Sequence, residues 1–320
     1  MFKASVSPHI RAKQSIKSIM WTVNLSLGPA FLFSIYNFGL QVILVTAVSV
    51  ISCVLVELVC LKLRNKPLSP ILDGSAVLTG LLVAFNLPPN VPLWIPAVGA
   101  VVAIGVAKQA FGGLGYNIFN PALAARCFLL SAWPVEMTTW QVHGVTGATP
   151  LGIFKEKGMG YLLTEFGSKS DLYWKLFSGG IGGCIGETSV ILLVLGSLIL
   201  FYKKIISWHT PVSYIAFLFI LGWLFGGQQG FLSGDPLFYI FSGGLFLGAL
   251  YMATDMVTTP LTNKGKFVFG LGCGLLTFLI RKFGSYPEGV SYSILLMNTA
   301  TPIIDRYIKT KKFGKVEEKK

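Results

Sequence analysis

Apolar residues in this chain come in unbroken blocks, without the 3.6-residue or two-residue alternation of elements that keep one face in water. About ten blocks can be drawn, at 18–36, 39–62, 73–88, 91–111 and 118–134, then at 186–203, 208–227, 236–254, 265–281 and 288–305. Several approach the roughly 20 residues that cross a hydrocarbon core of about 30 Å. In lipid every backbone donor and acceptor must be satisfied within its own segment, so such blocks predict spanning helices. The pattern predicts an all-α membrane protein of about ten transmembrane helices. Between the two sets of five lies the longest polar stretch, 135–185, the one place with room for structure outside the membrane.

The two sets resemble each other. Leu72-Asp73-Gly74-Ser75-Ala76-Val77-Leu78-Thr79-Gly80 precedes Pro88 much as Phe241-Ser242-Gly243-Gly244-Leu245-Phe246-Leu247-Gly248 precedes Pro260. Lys108-Gln109-Ala110-Phe111-Gly112 opens a link to the helix around Asn120-Pro121, as Arg281-Lys282-Phe283-Gly284 opens one to the helix around Asn298 and Pro302. Five is odd, so a duplicated five-helix unit inserts upside down the second time. Inverted repeats of that kind put a site near the midplane, flanked by helices broken at Gly and Pro. The expected organisation is a leader (1–17), a first repeat (18–134), an extracytoplasmic loop (135–185), a second repeat (186–305) and a basic tail (306–320).

Charge fixes the orientation. Of the residues 53% are hydrophobic and 12% charged, about half the charged share of a soluble domain. The ten-helix arrangement collects Lys3, Arg11, Lys13, Lys17, Lys62, Arg64, Lys66, Lys108, Lys203, Lys204, Lys264, Lys266 and the tail on one side, and leaves Arg281, Lys282 and the lysines of the long loop on the other. Short cytoplasmic loops carry the excess of Lys and Arg, so both termini are expected in the cytoplasm of a prokaryotic inner membrane, with 135–185 outside. Although the net charge is +13, the cations are scattered at the ends of apolar blocks, which argues against a nucleic-acid partner. The basic stretch Met1 to Lys17 runs into an apolar block with no small-residue cleavage site and reads as a leader, not a removed signal. Five single cysteines (Cys53, Cys60, Cys127, Cys184, Cys273) show no metal-ligand spacing, so no metal site is expected within the chain.

Candidate chemistry is sparse. Thr146-Gly147-Ala148-Thr149-Pro150-Leu151 in the outer loop is on its own a polar turn with a helix-capping Thr. Gly179-Gly180-Ile181-Gly182-Gly183-Cys184-Ile185-Gly186 lacks the dinucleotide-binding spacing and leaves two readings, a small-residue packing face or a wall beside a planar ligand. Glu187, at the membrane edge, either bonds such a ligand or caps a helix. Carboxylates in or beside apolar blocks are costly and mark ion paths. Glu57, Asp73, Asp255 and Asp305 qualify, Asp73 and Asp255 in comparable regions of the two halves, with Asp73 and Asp305 near the cytoplasmic interface and solvated there. The inverted repeat alone would serve a secondary transporter or channel with no redox cofactor equally well.

Taken in order, Leu72–Ala76, Ala107–Gly115 with Asn117 and Phe119–Ala122, the Thr-Gly-Ala-Thr-Pro-Leu loop, Gly183–Ser189, Ala253–Asp255 and Phe283–Val290 resemble the RnfD family of Rnf complexes. More distantly they resemble the NqrB family of the sodium-pumping NADH:quinone oxidoreductase. The likeness runs from about residue 18 to 308. It implies FMN joined to Thr149 through a phosphoester, with Thr146, Gly147 and Ala148 as the approach recognised by a flavin transferase. Such motifs usually have an acidic residue three positions earlier, where this chain has His143. The likeness further implies a second flavin, non-covalent riboflavin, within the helices. It implies a membrane electron-transfer subunit among other membrane and peripheral subunits, coupling electron flow from reduced ferredoxin to NAD⁺ with Na⁺ or H⁺ translocation. The ferredoxin and NAD⁺ sites would belong to the other subunits, and no catalytic residue is expected in this chain.

Overall fold

The computed structural model describes residues 14–142, 145–187, 189–227 and 230–309. The start of the leader, His143 and the end of the basic tail lie outside the described residues. The chain folds as α1 (Ile16–Ser26), α2 (Gly28–Phe38), α3 (Gln41–Leu63), α4 (Ser75–Phe85), α5 (Trp94–Ala100, continuing as a π-helix over Val101–Gln109) and α6 (Pro121–Ala132). A short α7 (Pro134–Thr138), the strands β1 (Trp140–Val142) and β2 (Val145–Gly147), α8 (Pro150–Phe166) and α9 (Lys169–Ser178) follow. The second half comprises α10 (Val190–Tyr202), α11 (His209–Phe225), α12 (Pro236–Phe241), α13 (Leu245–Leu247, continuing as a π turn over Gly248–Met252), α14 (Asn263–Phe283) and α15 (Val290–Tyr307). Each of the ten apolar blocks coincides with a helix or a broken pair of helices.

Two continuous rods, Ile16–Phe38 and Gln41–Leu63, are each 23 residues long, with mean hydropathies of 1.4 and 2.7, and are long and apolar enough to cross a membrane. Other apolar helices are shorter for identifiable local reasons. The chain enters α4 through Gly74 in the left-handed region (φ 85°), and Asn120 caps α6 by accepting from the amides of Ala122 and Leu123 with Pro121 in the first turn. α12 stops at Ser242 and Gly243, the latter at φ 67°, before the chain resumes as α13.

Packing repeats between the halves. α3 lies on α4 and α5, and α11 lies on α12 and α14; α1 meets α4, and α10 meets α13. α15 packs on α14 and reaches across to α6. Glycines allow the closest approaches: a Cβ at Gly80 would lie 2.6 Å from Val50 Cα, and one at Gly270 2.6 Å from the Thr210 carbonyl. One apolar core runs through both halves, from Leu27 and Phe85 to Tyr214 and Ile294. Outward, Leu44, Ile51, Leu55 and Val59 leave an apolar stripe exposed on α3, a surface poorly suited to water.

The stretch 135–185 is a folded cap. β1 and β2 pair antiparallel with Trp140 opposite Gly147 and Gln141 opposite Thr146. α8 bends at Gly158 (φ 77°) and joins α9 and α12 over a small core of Leu151, Leu162, Leu172, Leu176 and Phe238. The Tyr173 hydroxyl donates to Asp235, and Lys169 Nζ stands 3.9 Å from the same carboxylate. Burial, aided by Asp235, pushes the Tyr173 hydroxyl upward from its ordinary pKa.

Two cations counted as loop charges are inside. Lys108 is 1% exposed and Arg281 5%. Each sits in the last turn of its helix, where the side chain folds back against the bundle. A loop-charge count sees only their position in sequence.

Candidate functional site

Thr149 is the N-cap of α8. Its extended backbone (φ −64°, ψ 152°) turns the side chain back over the helix start, so Oγ1 accepts the Gly152 amide at 3.2 Å. The residue is 6% exposed, while Gly147 and Ala148 before it are exposed and Thr146 is held in the β2 ladder. Thr149 lines a narrow cleft at the start of α8. Opposite it stand Lys175, Gly179, Gly182 and Gly183, with Glu187, Ser242 and Gly243 completing the wall. Ser242 is 1% exposed and its hydroxyl has no partner, an orphan that a buried polar group rarely stays without a ligand or water. On a neighbouring cavity Lys155 donates to the carbonyls of Gly284 and Tyr286, and burial lowers its ammonium pKa.

Glu187 does not cap a helix; Ser189 caps α10, accepting from Leu192 N. The Glu187 carboxylate lies between two glycines. A Cβ at Gly183 would stand 3.0 Å from Oε2 and one at Gly244 2.8 Å from Oε1. The glycine-dense stretch divides: a Cβ at Gly186 would lie 2.6 Å from Phe85 Cβ, so that glycine packs against the bundle, whereas Gly182 and Gly183 line the cleft.

Below Glu187 is a buried guanidinium. Arg126 pairs with Glu288, donates to the Asn86 carbonyl and lies 2.9 Å from Cys184 Sγ. Cys184, Glu187 and Glu288 offer ligand atoms within 4.8 Å of one another, and Arg126 supplies positive charge among them. Asn86 reaches Met252 Sδ at 3.7 Å, and Asn120 Nδ2 donates to the Met252 carbonyl at 3.3 Å. The Thr149 cleft is joined in this way to a second cavity.

That inner pocket, about 810 Å³ and lined mainly by apolar atoms, lies between α1, α4, α10 and the π turn. Its polar lining is concentrated at Lys108, Asn117, Asn120 and Asp255. Asn117 is 6% exposed; its Nδ2 donates to the Phe119 carbonyl at 3.1 Å and its Oδ1 has no partner. Lys108 Nζ stands 2.7 Å from Glu57 Oε1 and donates to Ser75 Oγ at 2.7 Å. Gln109 Nε2 also donates to Glu57, at 2.9 Å. Asp255 accepts from Val257 N and from the Thr258 hydroxyl, at 3.4 and 3.1 Å.

Of the four carboxylates proposed for an ion path, Asp255 lines the pocket and Glu57 backs it through Lys108. Asp73 does not reach it and accepts the Ser75 amide at 2.7 Å; Asp305 accepts the Leu261 amide at 3.1 Å. Sequence reasoning missed Lys108, Arg126, Asn117, Ser242 and Arg281 as site residues. A signal existed for Lys108 and Arg126, since a cation inside an apolar block is costly unless paired. None existed for Ser242, whose meaning lies in the missing partner.

A family model described as NQR2, RnfD, RnfE matches residues 3–314. The chain is 51% identical to the D component of the proton-translocating ferredoxin:NAD(+) oxidoreductase complex of Clostridium ljungdahlii, over 98% of this chain and 96% of the relative. It is 48% identical to the Na(+)-translocating counterpart of Acetobacterium woodii, over 99% and 96%. Identity to the D component of the ion-translocating oxidoreductase complex of Stutzerimonas stutzeri is 38%, over 95% and 93%.

Proposed function

This chain belongs to the NQR2, RnfD, RnfE family, and from that premise we propose that it is a membrane electron-transfer subunit carrying FMN as a phosphoester on Thr149. It works in an ion-translocating ferredoxin:NAD⁺ oxidoreductase complex, the assembly for which two of its relatives are named. The observation that carries the reading is the placement of Thr149: a hydroxyl at a helix N-terminus, in a glycine-walled cleft that holds an orphan buried hydroxyl.

The residues present fit the group. An esterified Oγ1 keeps a lone pair for the Gly152 amide, and the positive end of the α8 dipole favours a phosphate there. Gly182 and Gly183 leave the cleft wall without side chains where a flat ring would lie, and Glu187 offers it a carboxylate. The exposed Gly147 and Ala148 give a flavin transferase its approach to Thr149. Bound there, the flavin would supply reversible electron acceptance, which no side chain of this chain offers.

A second, non-covalent flavin, riboflavin, is assigned to the inner pocket, where the free Asn117 Oδ1 suits an N–H donor and the apolar walls suit a ring system. Ion coupling is placed beside it, at Asp255 with the Glu57–Lys108 pair, and at Asp73 toward the cytoplasmic end. The repeated packing of α3 on α4 and α5, and of α11 on α12 and α14, supports ten spans in two inverted five-helix repeats; the cap outside and both termini in the cytoplasm follow from the distribution of Lys and Arg among the loops. Relatives of nearly equal likeness are named for H⁺ and for Na⁺, so overall similarity does not select the ion.

The test is direct. The full chain is co-expressed with a flavin transferase, denatured and run on a gel. Flavin fluorescence on the band, absent in a membrane-inserted Thr149→Ala variant, is the expected result. A dark wild-type band would favour a permease without redox cofactor.

A further inference from the structure

Arg281 stands in the last turn of α14 and is 5% exposed. Nη1 donates to the Tyr239 carbonyl at 2.5 Å and Nη2 to the Ser242 carbonyl at 2.9 Å. A guanidinium closing the C-terminal carbonyls of α12 accounts for those two bonds. It leaves three features unexplained. Arg281 Nε has no partner. Among the described residues the ion pairs within 4.0 Å are Lys108–Glu57, Arg126–Glu288 and Lys169–Asp235, so no carboxylate contacts this buried charge. And the Ser242 hydroxyl, buried beside Arg281 in the wall of the Thr149 cleft, is unbonded.

The next residue, Gly243, has φ 67°, and a Cβ on it would sit 3.1 Å from Arg281 Nη2. Glycine therefore lets the guanidinium lie close behind the cleft wall. A buried positive charge without a contacting anion and a buried hydroxyl without an acceptor both call for the same ligand chemistry, an anionic oxygen. Glu187, on the same cleft, is not that acceptor, because neither the Ser242 hydroxyl nor Arg281 Nε has a partner.

We propose that Ser242 and Arg281 are positioning residues for a phosphodiester at Thr149, the Ser242 hydroxyl donating to a non-bridging phosphate oxygen and Arg281 providing the fixed positive charge beside it. The inference rests on the reading that Thr149 carries the flavin phosphate. A phosphodiester bears one negative charge, which one guanidinium balances. Lys175 also lines the cleft, but it is exposed and screened by water.

The experiment uses the full chain matured with the flavin transferase and reads two quantities, the flavin-to-protein ratio and the ³¹P resonance of the protein-bound phosphate. Ser242→Ala is expected to shift the resonance, and Ser242→Thr to restore it, because only a donated hydrogen bond to the phosphate distinguishes these side chains. Arg281→Gln is expected to slow the rise of the flavin-to-protein ratio during maturation roughly tenfold, the consequence of losing one charge-assisted contact in the transfer step, with Arg281→Lys retaining most of the rate. If Arg281→Gln fails to insert, the serine pair still decides. A flavin-bearing wild type whose resonance is unmoved in Ser242→Ala overturns this inference alone. A wild type bearing no flavin overturns it together with the reading beneath it.

Discussion

The Thr149 cleft and the inner pocket differ in how apolar their walls are and in the source of their polarity. The cleft, about 410 Å³, is bounded by glycine backbone and by the N-terminus of α8, next to a cap with its own small core. The inner pocket, about 810 Å³, is walled by apolar side chains from both halves, with charges gathered at Lys108 and Asp255. A cleft bounded largely by backbone has little apolar area with which to retain a ring, and on the proposed reading a covalent link supplies the retention. A pocket lined mainly by apolar atoms can retain one through burial and a few hydrogen bonds. On the proposed reading the two cavities hold the same class of cofactor by opposite means, and Arg126, Asn86 and Met252 lie between them.

That contrast can be broken at either end. The largest effect is expected from Thr149→Ala, which should abolish covalent flavin entirely while leaving extractable flavin in the inner pocket, as measured by fluorescence before and after acid precipitation. Loss of both together would show that the cavities are not independent. Next is Lys108→Met. Removing one partner of a buried ion pair leaves Glu57 uncompensated and should destabilise the chain by about 3–5 kcal/mol, read by thermal unfolding in detergent. Lys108→Met combined with Glu57→Gln should recover a large part of that loss.

These residues also show how far the sequence carried. The helical blocks were legible because lipid and core both demand unbroken apolar runs, and Thr149 could be named as a candidate because its motif is contiguous. Thr146, Gly147 and Ala148 lead to it in the chain as they do in space. What failed was anything that depends on which way a side chain turns. Lys108 and Arg281 sit at helix ends, where a cation ordinarily faces water; here both fold inward, one onto Glu57 and the other onto the carbonyls of α12. Asp73 and Asp255 hold comparable places in the two halves, yet only Asp255 lines the pocket, because the Asp73 carboxylate turns back to accept the amide of Ser75.

Smaller effects sharpen the comparison. Asn117→Leu, close in volume, should weaken retention of the inner flavin about tenfold, near the value of one buried hydrogen bond, and leave the covalent flavin unchanged. Equilibrium dialysis against riboflavin measures the first, and gel fluorescence the second. Least affected should be Lys169→Ala. This lysine is 59% exposed beside Asp235, and solvent-screened pairs of this kind contribute well under 1 kcal/mol, so the melting temperature and both flavin contents should stay where they are.

The central claim is that one cavity is loaded through a bond and the other without one. Intact-mass spectrometry of the natively matured chain, under denaturing and then membrane-preserving conditions, tests it most directly. The account predicts a denatured mass heavier by one FMN less one water, with the increment confined to the peptide containing Thr149, and a further flavin retained only under gentle conditions. A bare denatured mass, or an increment on any other peptide, would contradict it.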